Sequence, residues 1–224
     1  MTNIVAITIG DERGVGIHIL LQSFLNNNFN KFILFTDINL IIKVLKKYNL
    51  ASKINVIDNH TILYKKNKIN IFNYKSSSSE DNTYKSLKTA YKFCKKKFCI
   101  GMITLPLRKD LIKLNINQNF KGHTEYFQKI DNKKYSNMIL YHKKIMVSPL
   151  TTHIRISKIS KIISNKNFLY NQIYNLNNTL KKDFNIKKPK ILISGLNPHA
   201  GENGVLGNEE VNHITPTIKK LNKN

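Results

Sequence analysis

The sequence predicts an α/β protein, and three observations point to this fold class. Short apolar runs alternate with segments of helical periodicity in the first 60 residues, and the first two runs end directly at Gly10 and Asp37. No apolar stretch is long enough to span a bilayer. With 224 residues, of which 41% are hydrophobic, the chain can bury a sizeable core as one region or as two interlocked lobes.

The first part of the chain supplies a β-α-β-α-β alternation. Apolar runs of strand length predict buried strands at 3–9, 31–36 and 53–57. A helix is predicted from His18 to Leu25, and Asp37 is placed to cap the next one. The apolar face of that second helix consists of Leu40, Ile41, Val44, Leu45 and Tyr48.

A third helix and a fourth strand are predicted in the middle of the chain. Residues 76–79 form a polar serine loop, in which Ser77 and Glu80 have the spacing of a capping box. A strand is predicted at 98–105, ending at Pro106. The buried stripe of the helix between them is predicted as Tyr84, Leu87, Tyr91, Cys94 and Phe98, which makes Cys94 a core residue without chemistry.

The second half predicts a hairpin, two helices and one more strand. The hairpin consists of 138–141 and 144–147, and a long polar helix covers 168–184. A strand is predicted at 190–194, followed by glycine, and a last helix at 209–221 that Pro216 is expected to interrupt. No internal repeat or linker divides the chain, so residues 1–224 are treated as a single region.

The composition of the chain indicates its binding partners and its cellular compartment. The formal charge of +24 suggests an anionic partner, but the lysines are spread along the whole chain and no basic-plus-aromatic motif accompanies them, which argues against a nucleic-acid binder. The two cysteines, Cys94 and Cys99, are too few for a disulfide framework, and the N-terminus lacks the pattern of a secretory signal. These features predict a cytoplasmic protein that does not enter membranes.

The most informative segment is 194–210, Ser-Gly-Leu-Asn-Pro-His-Ala-Gly-Glu-Asn-Gly-Val-Leu-Gly-Asn-Glu-Glu, between a predicted strand and a predicted helix. Its four glycines indicate sharp turns or a close backbone approach. His199 lies in this loop, where a histidine can be a metal ligand, a base or a surface residue. Ligands of open α/β sheets gather beyond the carboxyl ends of strands, which favours a functional role.

Two further histidines lie where secondary-structure elements begin or end. His153 ends Thr151-Thr-His153, after the second strand of the hairpin. His123 and Thr124 belong to Gly122-His-Thr-Glu125, at the start of a helix whose free N–H groups can meet an anion. Each motif alone also fits a helix cap or an incidental histidine, but three histidines in glycine- or threonine-rich loops at element ends favour a functional role.

The ordered motifs resemble those of the 4-hydroxythreonine-4-phosphate dehydrogenase family. The 195–202 segment looks like the family's signature, and 7–16 (Ile-Thr-Ile-Gly-Asp-Glu-Arg-Gly-Val-Gly) is similar to its N-terminal glycine motif. Residues 104–109 (Thr-Leu-Pro-Leu-Arg-Lys) resemble its Thr-x-Pro-Ile-Asn-Lys strand end. The 122–125 and 151–153 motifs match in order and approximate spacing, so the resemblance spans nearly the whole chain.

The resemblance implies a fold and a reaction. The fold is that of isocitrate and isopropylmalate dehydrogenases, a mixed sheet with helices on both faces. The family oxidises 4-phosphooxy-threonine, a small phosphorylated amino acid, with NAD or NADP. The product loses carbon dioxide to give 3-amino-2-oxopropyl phosphate for pyridoxal phosphate synthesis. Family members are homodimers with active sites at the subunit interface.

The family's functional residues fall on five positions of this sequence. His153 and His199 match two of three histidines that bind a divalent metal such as zinc, magnesium or cobalt, and His123 and Thr124 match the substrate-binding pair. Lys109 matches the family's lysine, and we expect it to assist proton transfer or to balance substrate charge. A solvated lysine on this lysine-rich chain is the alternative. The residues that bind the nicotinamide cofactor stay unassigned.

Two departures from the family pattern shape the expectations. Ile17 and His18 stand where the family has Pro-Glu, and the family's C-terminal segment with the third metal histidine and the phosphate-gripping residues is missing, as in a truncated member. His213, His18 and His142 are candidate substitutes for the third ligand. The alternatives are a sister dehydrogenase for another phosphorylated hydroxy acid, a non-catalytic remnant, and a basic nucleic-acid binder.

Overall fold

The structure is a computed structural model that describes residues 3–27, 31–58, 63–143 and 145–223. It divides into two compact units, Met1–Phe127 (unit 1) and Gln128–Asn224 (unit 2). No helix in the described ranges is both long enough and apolar enough to cross a membrane.

Unit 1 contains a five-stranded sheet in the order β3-β4-β2-β1-β5, and all four strand pairings are parallel. Chain connections leave β1 for β2 on one side, whereas β5 pairs with β1 on the other, so the strand order reverses beside β1. The strands are β1 (Val5–Thr8), β2 (Phe32–Thr36), β3 (Ile54–Ile57), β4 (Ile69–Asn73) and β5 (Gly101–Thr104).

Helices cover both faces of this sheet. Neighbouring residues of β1 point to opposite faces: Ile7 packs with α1 and α2 side chains such as Leu21 and Leu45, whereas Ala6 packs in the cluster that contains Phe93 of α3. The predicted α/β architecture with helices on both faces is confirmed. The helices are α1 (Val15–Leu25), α2 (Ile38–Lys47), α3 (Ser79–Lys95), α4 (Lys109–Asn115) and α5 (His123–Ile130).

The cap predicted at Asp37 is confirmed and extends into a network. Its carboxylate accepts hydrogen bonds from the backbone N–H of Asn39 at 3.0 Å and from both the N–H and the hydroxyl of Ser76. The amide oxygen of Asn82 in turn accepts from the N–H of Asp37 at 2.8 Å. These bonds fix the loops that follow β2 and β4 to the start of α3.

Strand β4 was not predicted from the sequence. It alternates isoleucine with asparagine, and Asn70 is fully buried in the middle of the sheet. Its side chain is satisfied there: the oxygen accepts from Asn55 and from the N–H of Lys65, and the nitrogen donates to the carbonyls of Lys65 and Lys68. A polar residue that normally favours loops is therefore accommodated by tertiary contacts.

Two details predicted for α3 were wrong by about one residue. The cap is Ser78, whose hydroxyl accepts from the N–H of Asp81, while the Asp81 carboxylate accepts from Ser77. The buried face follows Asn82, Thr83, Ser86, Leu87, Ala90 and Phe93. Cys94 is only half-buried, although it does pack against the core, and Phe98 lies beyond the helix with 45% of its surface exposed.

Unit 2 is built from a hairpin and helices. The predicted hairpin is confirmed as antiparallel β6 (Leu140–His142) and β7 (Ile145–Val147), with Lys144 outside the described residues. A small core of Ile163, Leu169, Ile173 and Ile214 joins its helices, which are α6 (Ile159–Ile163), α7 (Lys166–Lys182) and α8 (Thr215–Leu221). The interruption expected from Pro216 takes the form of a π-helical turn, Glu210–Ile214, before α8.

The strand predicted at 190–194 was wrong. The segment is extended but pairs with no strand among the residues that the structure describes. Ile191 and Ile193 face the small core of unit 2, whereas Leu192 between them is 97% exposed. The alternating side chains thus adopt a strand-like arrangement without the neighbouring strand that a ladder requires.

Candidate active site

The carboxyl ends of β1 and β5 are joined by their loops. The N–H of Asp11 donates to the carbonyl of Pro106 at 2.8 Å. Gly10 has a φ of 64°, and a Cβ at this position would lie 2.3 Å from the same carbonyl oxygen. Glycine is therefore required here, because any side chain would separate the two loops.

Charged side chains that the prediction did not single out lie at this edge. Arg13 meets Asp11 at 3.2 Å and Glu80, at the start of α3, at 3.4 Å. Glu12 is 7% exposed, and its Oε2 has no hydrogen-bond partner in the described part of the chain, as is also true of Thr8 Oγ1. Three successive charged residues directly after the first strand were the signal that could have drawn attention to this edge.

Lys109 is the first residue of α4, directly after the loop that follows β5. Its side chain is exposed. The neighbouring Arg108 pairs with Asp110 through two contacts, Nε to Oδ1 at 3.2 Å and Nη2 to Oδ2 at 2.8 Å. Asp110 is thereby paired with Arg108, while Lys109 between them is open to solvent.

His123 opens α5, as predicted, and its environment is unusual for an imidazole. Its Nε2 is buried without a hydrogen-bond partner among the described residues. Burial lowers the pKa of His123, because the charged imidazolium loses its hydration. Thr124 follows it in the first helical turn and is half-buried. A desolvated ring nitrogen beside the free N–H groups of a helix start is suited to binding an oxygen-rich ligand.

Aromatic side chains hold the start of α5. Tyr126, buried in the first turn, lies 5.4 Å from the ring of Tyr84 and 5.8 Å from that of Phe120. The Tyr84 hydroxyl accepts a hydrogen bond from the Asn117 amide at 3.1 Å. These contacts tie the His123 segment to α3 through apolar packing, which limits its freedom to move.

His153 lies in unit 2 in a bend after β7. It is exposed and has a φ of 57°, a left-handed conformation that few residues other than glycine and asparagine adopt. Such a backbone turns the side chain away from the direction that an extended chain would give it. Strained conformations of this kind recur at ligand sites.

The backbone of the His199 loop winds in the left-handed sense. Five successive residues, from Ala200 to Gly204, have φ values of 47°, 76°, 45°, 56° and 104°. A Cβ on Gly201 would lie 2.6 Å from the carbonyl oxygen of Gly207, which explains the glycine there. The sequence indicated sharp turns in this segment, but not that they would be consecutive.

Side chains of the same segment fix the loop. The Asn197 side-chain oxygen accepts from the N–H of His199 at 2.9 Å and from that of Gly201 at 3.4 Å. Glu210 closes the base of the loop, accepting from the N–H of Leu196 at 2.9 Å. His199 itself is exposed, and its Nδ1 lies 2.8 Å from Glu202 Oε1.

The side chains in the described ranges indicate how much of a metal site this chain can supply. His153 and His199 are imidazole donors on exposed loops, a donor type suited to zinc or cobalt. However, no group of three His, Cys, Asp or Glu side chains within the described ranges could hold an ion. The two histidines therefore fit part of a metal site, and a complete site requires further ligands.

The three suggested substitutes supply no such ligand. His18 Nδ1 is paired with the Tyr48 hydroxyl at 3.0 Å, and His142 lies on the exposed hairpin. His213 is on the π-helical turn, where its Nδ1 is buried without a partner in the described part of unit 2. None of them belongs to a group of three potential ligands among the described residues.

The family profile described as pyridoxal phosphate biosynthetic protein PdxA matches residues 22–224. The chain belongs to this family.

Relatives and solved structures agree with this assignment. A 4-hydroxythreonine-4-phosphate dehydrogenase from Sulfurihydrogenibium is 32% identical over 96% of this chain, and one from Pseudoalteromonas translucida is 30% identical over 99%. The chain spans 70% of the length of each.

Solved structures match the fold of this chain. The crystal structure of the Klebsiella pneumoniae enzyme of that name matches with a TM-score of 0.84 at 21% identity, and the match covers 99% of this chain and 72% of the Klebsiella chain. The Burkholderia phymatum structure gives 0.76 at 23% identity, covering 100% and 72%. At these identities the structures establish the fold.

Proposed function

We propose that this chain oxidises 4-hydroxythreonine 4-phosphate with NAD or NADP, and that decarboxylation then yields 3-amino-2-oxopropyl phosphate for pyridoxal phosphate biosynthesis. The observation that carries the proposal is the 32% identity, over 96% of the chain, to a relative named for this dehydrogenase activity. The five ordered motifs and the family profile support it.

His123 and Thr124 are proposed to bind the substrate. The buried, unpartnered Nε2 of His123 would gain a hydrogen bond to a substrate oxygen, which removes the penalty of leaving it unpaired. The Thr124 hydroxyl and the N–H groups of the first turn of α5 lie next to it in the chain and can bind a further polar group of the substrate. Because burial favours the neutral imidazole, His123 would act as a hydrogen-bonding group rather than as a charge.

Lys109 is proposed to move a proton or to balance the negative charge of the substrate. Its side chain is exposed at the start of α4, where Arg108 pairs with the neighbouring Asp110. The hydride goes to the nicotinamide, whose chemistry belongs to the cofactor. The residues of this chain therefore have to bind, orient and exchange protons with the substrate.

His153 and His199 are proposed as the two imidazole ligands that this chain offers to a divalent metal. When bound, such an ion would polarise the hydroxyl group being oxidised. The donor type supports this assignment, while the absence of a third candidate among the described residues means that other ligands must complete the site.

A homodimer and a cytoplasmic setting complete the proposal. The β6–β7 hairpin supports the homodimer, since Leu140, Tyr141, Ile145 and Val147 are 53–66% exposed, and an uncovered two-stranded ribbon is marginal by itself. A twofold partner would cover it, and the molar mass in solution by light scattering tests this. The free thiols of Cys94 and Cys99 support a reducing compartment.

The deciding experiment is a turnover assay with matched lysine variants. The purified chain is mixed with 4-hydroxythreonine 4-phosphate, NAD or NADP, and zinc, magnesium or cobalt, and the absorbance of the reduced nicotinamide is followed. Lys109→Ala is expected to lower kcat about 100-fold or more if the amine transfers a proton. Lys113→Ala, which removes another exposed lysine of α4, should leave turnover unchanged.

The histidine variants complete the assay. His123→Ala should mainly raise KM, and His153→Ala and His199→Ala should remove the response to added metal. A folded chain that reduces no cofactor with any metal overturns the proposed function and favours a non-catalytic member. Turnover of a different phosphorylated hydroxy acid instead would identify a sister dehydrogenase.

A further inference from the structure

We infer that Glu202 is a positioning residue that fixes the tautomer and the direction of the His199 imidazole. The inference deepens the proposed function, on which the metal role of His199 rests, but the arrangement itself can be measured in the protein without metal or substrate. It follows from one contact, from the backbone that creates that contact, and from the chemistry of carboxylates.

The contact assigns the ring hydrogen. His199 Nδ1 lies 2.8 Å from Glu202 Oε1. An ionised carboxylate can only accept a hydrogen bond, so the hydrogen of the pair must be on Nδ1. In the neutral ring, Nε2 then carries the lone pair and points away from Glu202, and it becomes the nitrogen that can bind a divalent cation.

The backbone conformation of the loop places Glu202 beside His199. Glu202 reaches back to His199 because the residues between them wind in the left-handed sense, with φ values of 47° at Ala200 and 76° at Gly201, followed by 45° at Glu202 itself. Ala200 and Glu202 are not glycines, so this conformation is unfavourable for them and has to be maintained by other contacts.

Those contacts are present on both sides of the loop. Asn197 accepts from the N–H of His199, the N–H of Glu202 donates to the carbonyl of His199 at 3.0 Å, and the N–H of Leu206 donates to the carbonyl of Gly201 at 3.0 Å. Glu210 accepts from the N–H of Leu196 at the start of the loop. The loop is thus held in the one winding that places Glu202 against Nδ1.

Stabilisation of the fold does not account for the pair. Both side chains are exposed, at 61% for His199 and 50% for Glu202, and exposed ion pairs contribute little to stability. A histidine that binds a metal through one nitrogen usually donates the other N–H to a carboxylate or a carbonyl, which sets the tautomer and raises the basicity of the ligating nitrogen. The geometry of Glu202 is of this kind.

The first test reads the tautomer directly. The full chain, labelled with ¹⁵N in its histidines and free of metal, is studied by long-range ¹H–¹⁵N NMR in mildly alkaline solution, where imidazoles are uncharged. The His199 signals are assigned by their loss in His199→Gln. We expect the Nδ1–H form in the wild type, the same form in Glu202→Gln, whose side-chain oxygen still accepts, and a return to the Nε2–H form of free histidine in Glu202→Ala.

The second test measures zinc affinity by competition with a chelating dye. We expect Glu202→Ala to weaken zinc binding about 10–100-fold and Glu202→Gln to weaken it less. Asp183→Ala removes an equal charge from an exposed position at the end of α7 and should leave zinc binding unchanged. This variant controls for the loss of negative charge in general.

The outcomes separate this inference from the proposed function. An Nε2–H form of His199 in the wild type, or a tautomer unaffected by Glu202→Ala, overturns the inference. Loss of zinc binding without a change of tautomer also overturns it, because Glu202 would then be a direct ligand. If the tautomer behaves as expected but the chain reduces no cofactor, the proposed function fails while the assignment of Glu202 stands.

Discussion

The two units of the chain organise their residues in different ways. In unit 1 the strands of a parallel sheet are buried between helices, and residues such as Phe35 and Leu34 are completely inaccessible. Unit 2 buries a small cluster around Leu169 but exposes apolar side chains on its hairpin and at Leu192, which is 97% exposed. Apolar burial is therefore extensive in unit 1 and limited in unit 2.

The predicted site residues follow the same division. His123 in unit 1 is desolvated, with a buried nitrogen that lacks a partner. His153 and His199 in unit 2 are exposed, and the backbone is left-handed at His153 and just after His199. Burial therefore distinguishes the first histidine, whereas the other two lie in exposed segments with unusual backbone conformations.

The largest expected effect is in the core of unit 1. Phe35 is fully buried, with its ring 4.9 Å from that of Phe93 and 5.5 Å from that of Phe72. Phe35→Ala should lower the free energy of unfolding by about 3–5 kcal/mol, measured by urea denaturation, because it leaves a cavity among these rings. Leu192→Ala in unit 2, where the side chain is 97% exposed, should change it by less than about 0.5 kcal/mol. Similar losses in both variants would contradict the contrast between the units.

An intermediate effect is expected in the left-handed loop of unit 2. In Gly201→Ala, the added Cβ would meet Gly207 O at 2.6 Å and Glu210 Oε2 at 2.9 Å. The loop should lose about 1–3 kcal/mol of local stability, measured as faster hydrogen exchange at 196–206. Gly101→Ala in β5 is the matched control, since its Cβ would meet no atom within 4 Å. Unchanged exchange in Gly201→Ala would show that the loop is not held as described.

The smallest effect is a pH dependence of stability at His123. Burial lowers the pKa of this imidazole below its unfolded value of about 6.5, so the unfolded state binds the proton more readily than the folded state. The contribution is fully present above the unfolded pKa, and it is lost as the pH falls through the folded pKa. Urea denaturation across this range should therefore show a steeper loss of stability on acidification in the wild type than in His123→Gln. Parallel curves would indicate that His123 is solvated.

Local signals in the sequence predicted most of unit 1 correctly. The strands β1, β2, β3 and β5 were found because each lies in a short, mostly apolar run of strand length, and the Asp37 cap was found from its position between a strand and a helix. Strand β4 was missed because the asparagines in it look like loop residues until the partners of Asn70 are known. The cap at Ser78 was displaced by one position because four consecutive serines offer the same local chemistry.

The site was predicted unevenly for a similar reason. Glycine- or threonine-rich loops at the ends of elements drew attention to His123, His153 and His199, but the burial and contacts of each histidine depend on the residues that surround it. Glu202 was part of the quoted motif without a role, because its contact with His199 depends on left-handed conformations at Ala200 and Gly201 that residue types do not specify. The strand expected at 190–194 had the correct periodicity, but periodicity cannot supply a partner strand.

The sequence by itself determined the α/β class, the positions of most elements and the family motifs, because these depend on residue types at short spacings. The tertiary structure decided which polar groups are satisfied or left unpaired, how far each histidine is buried, and which nitrogen of His199 faces Glu202. These properties depend on atoms brought together by the fold, across many residues or through backbone conformations that residue types do not specify.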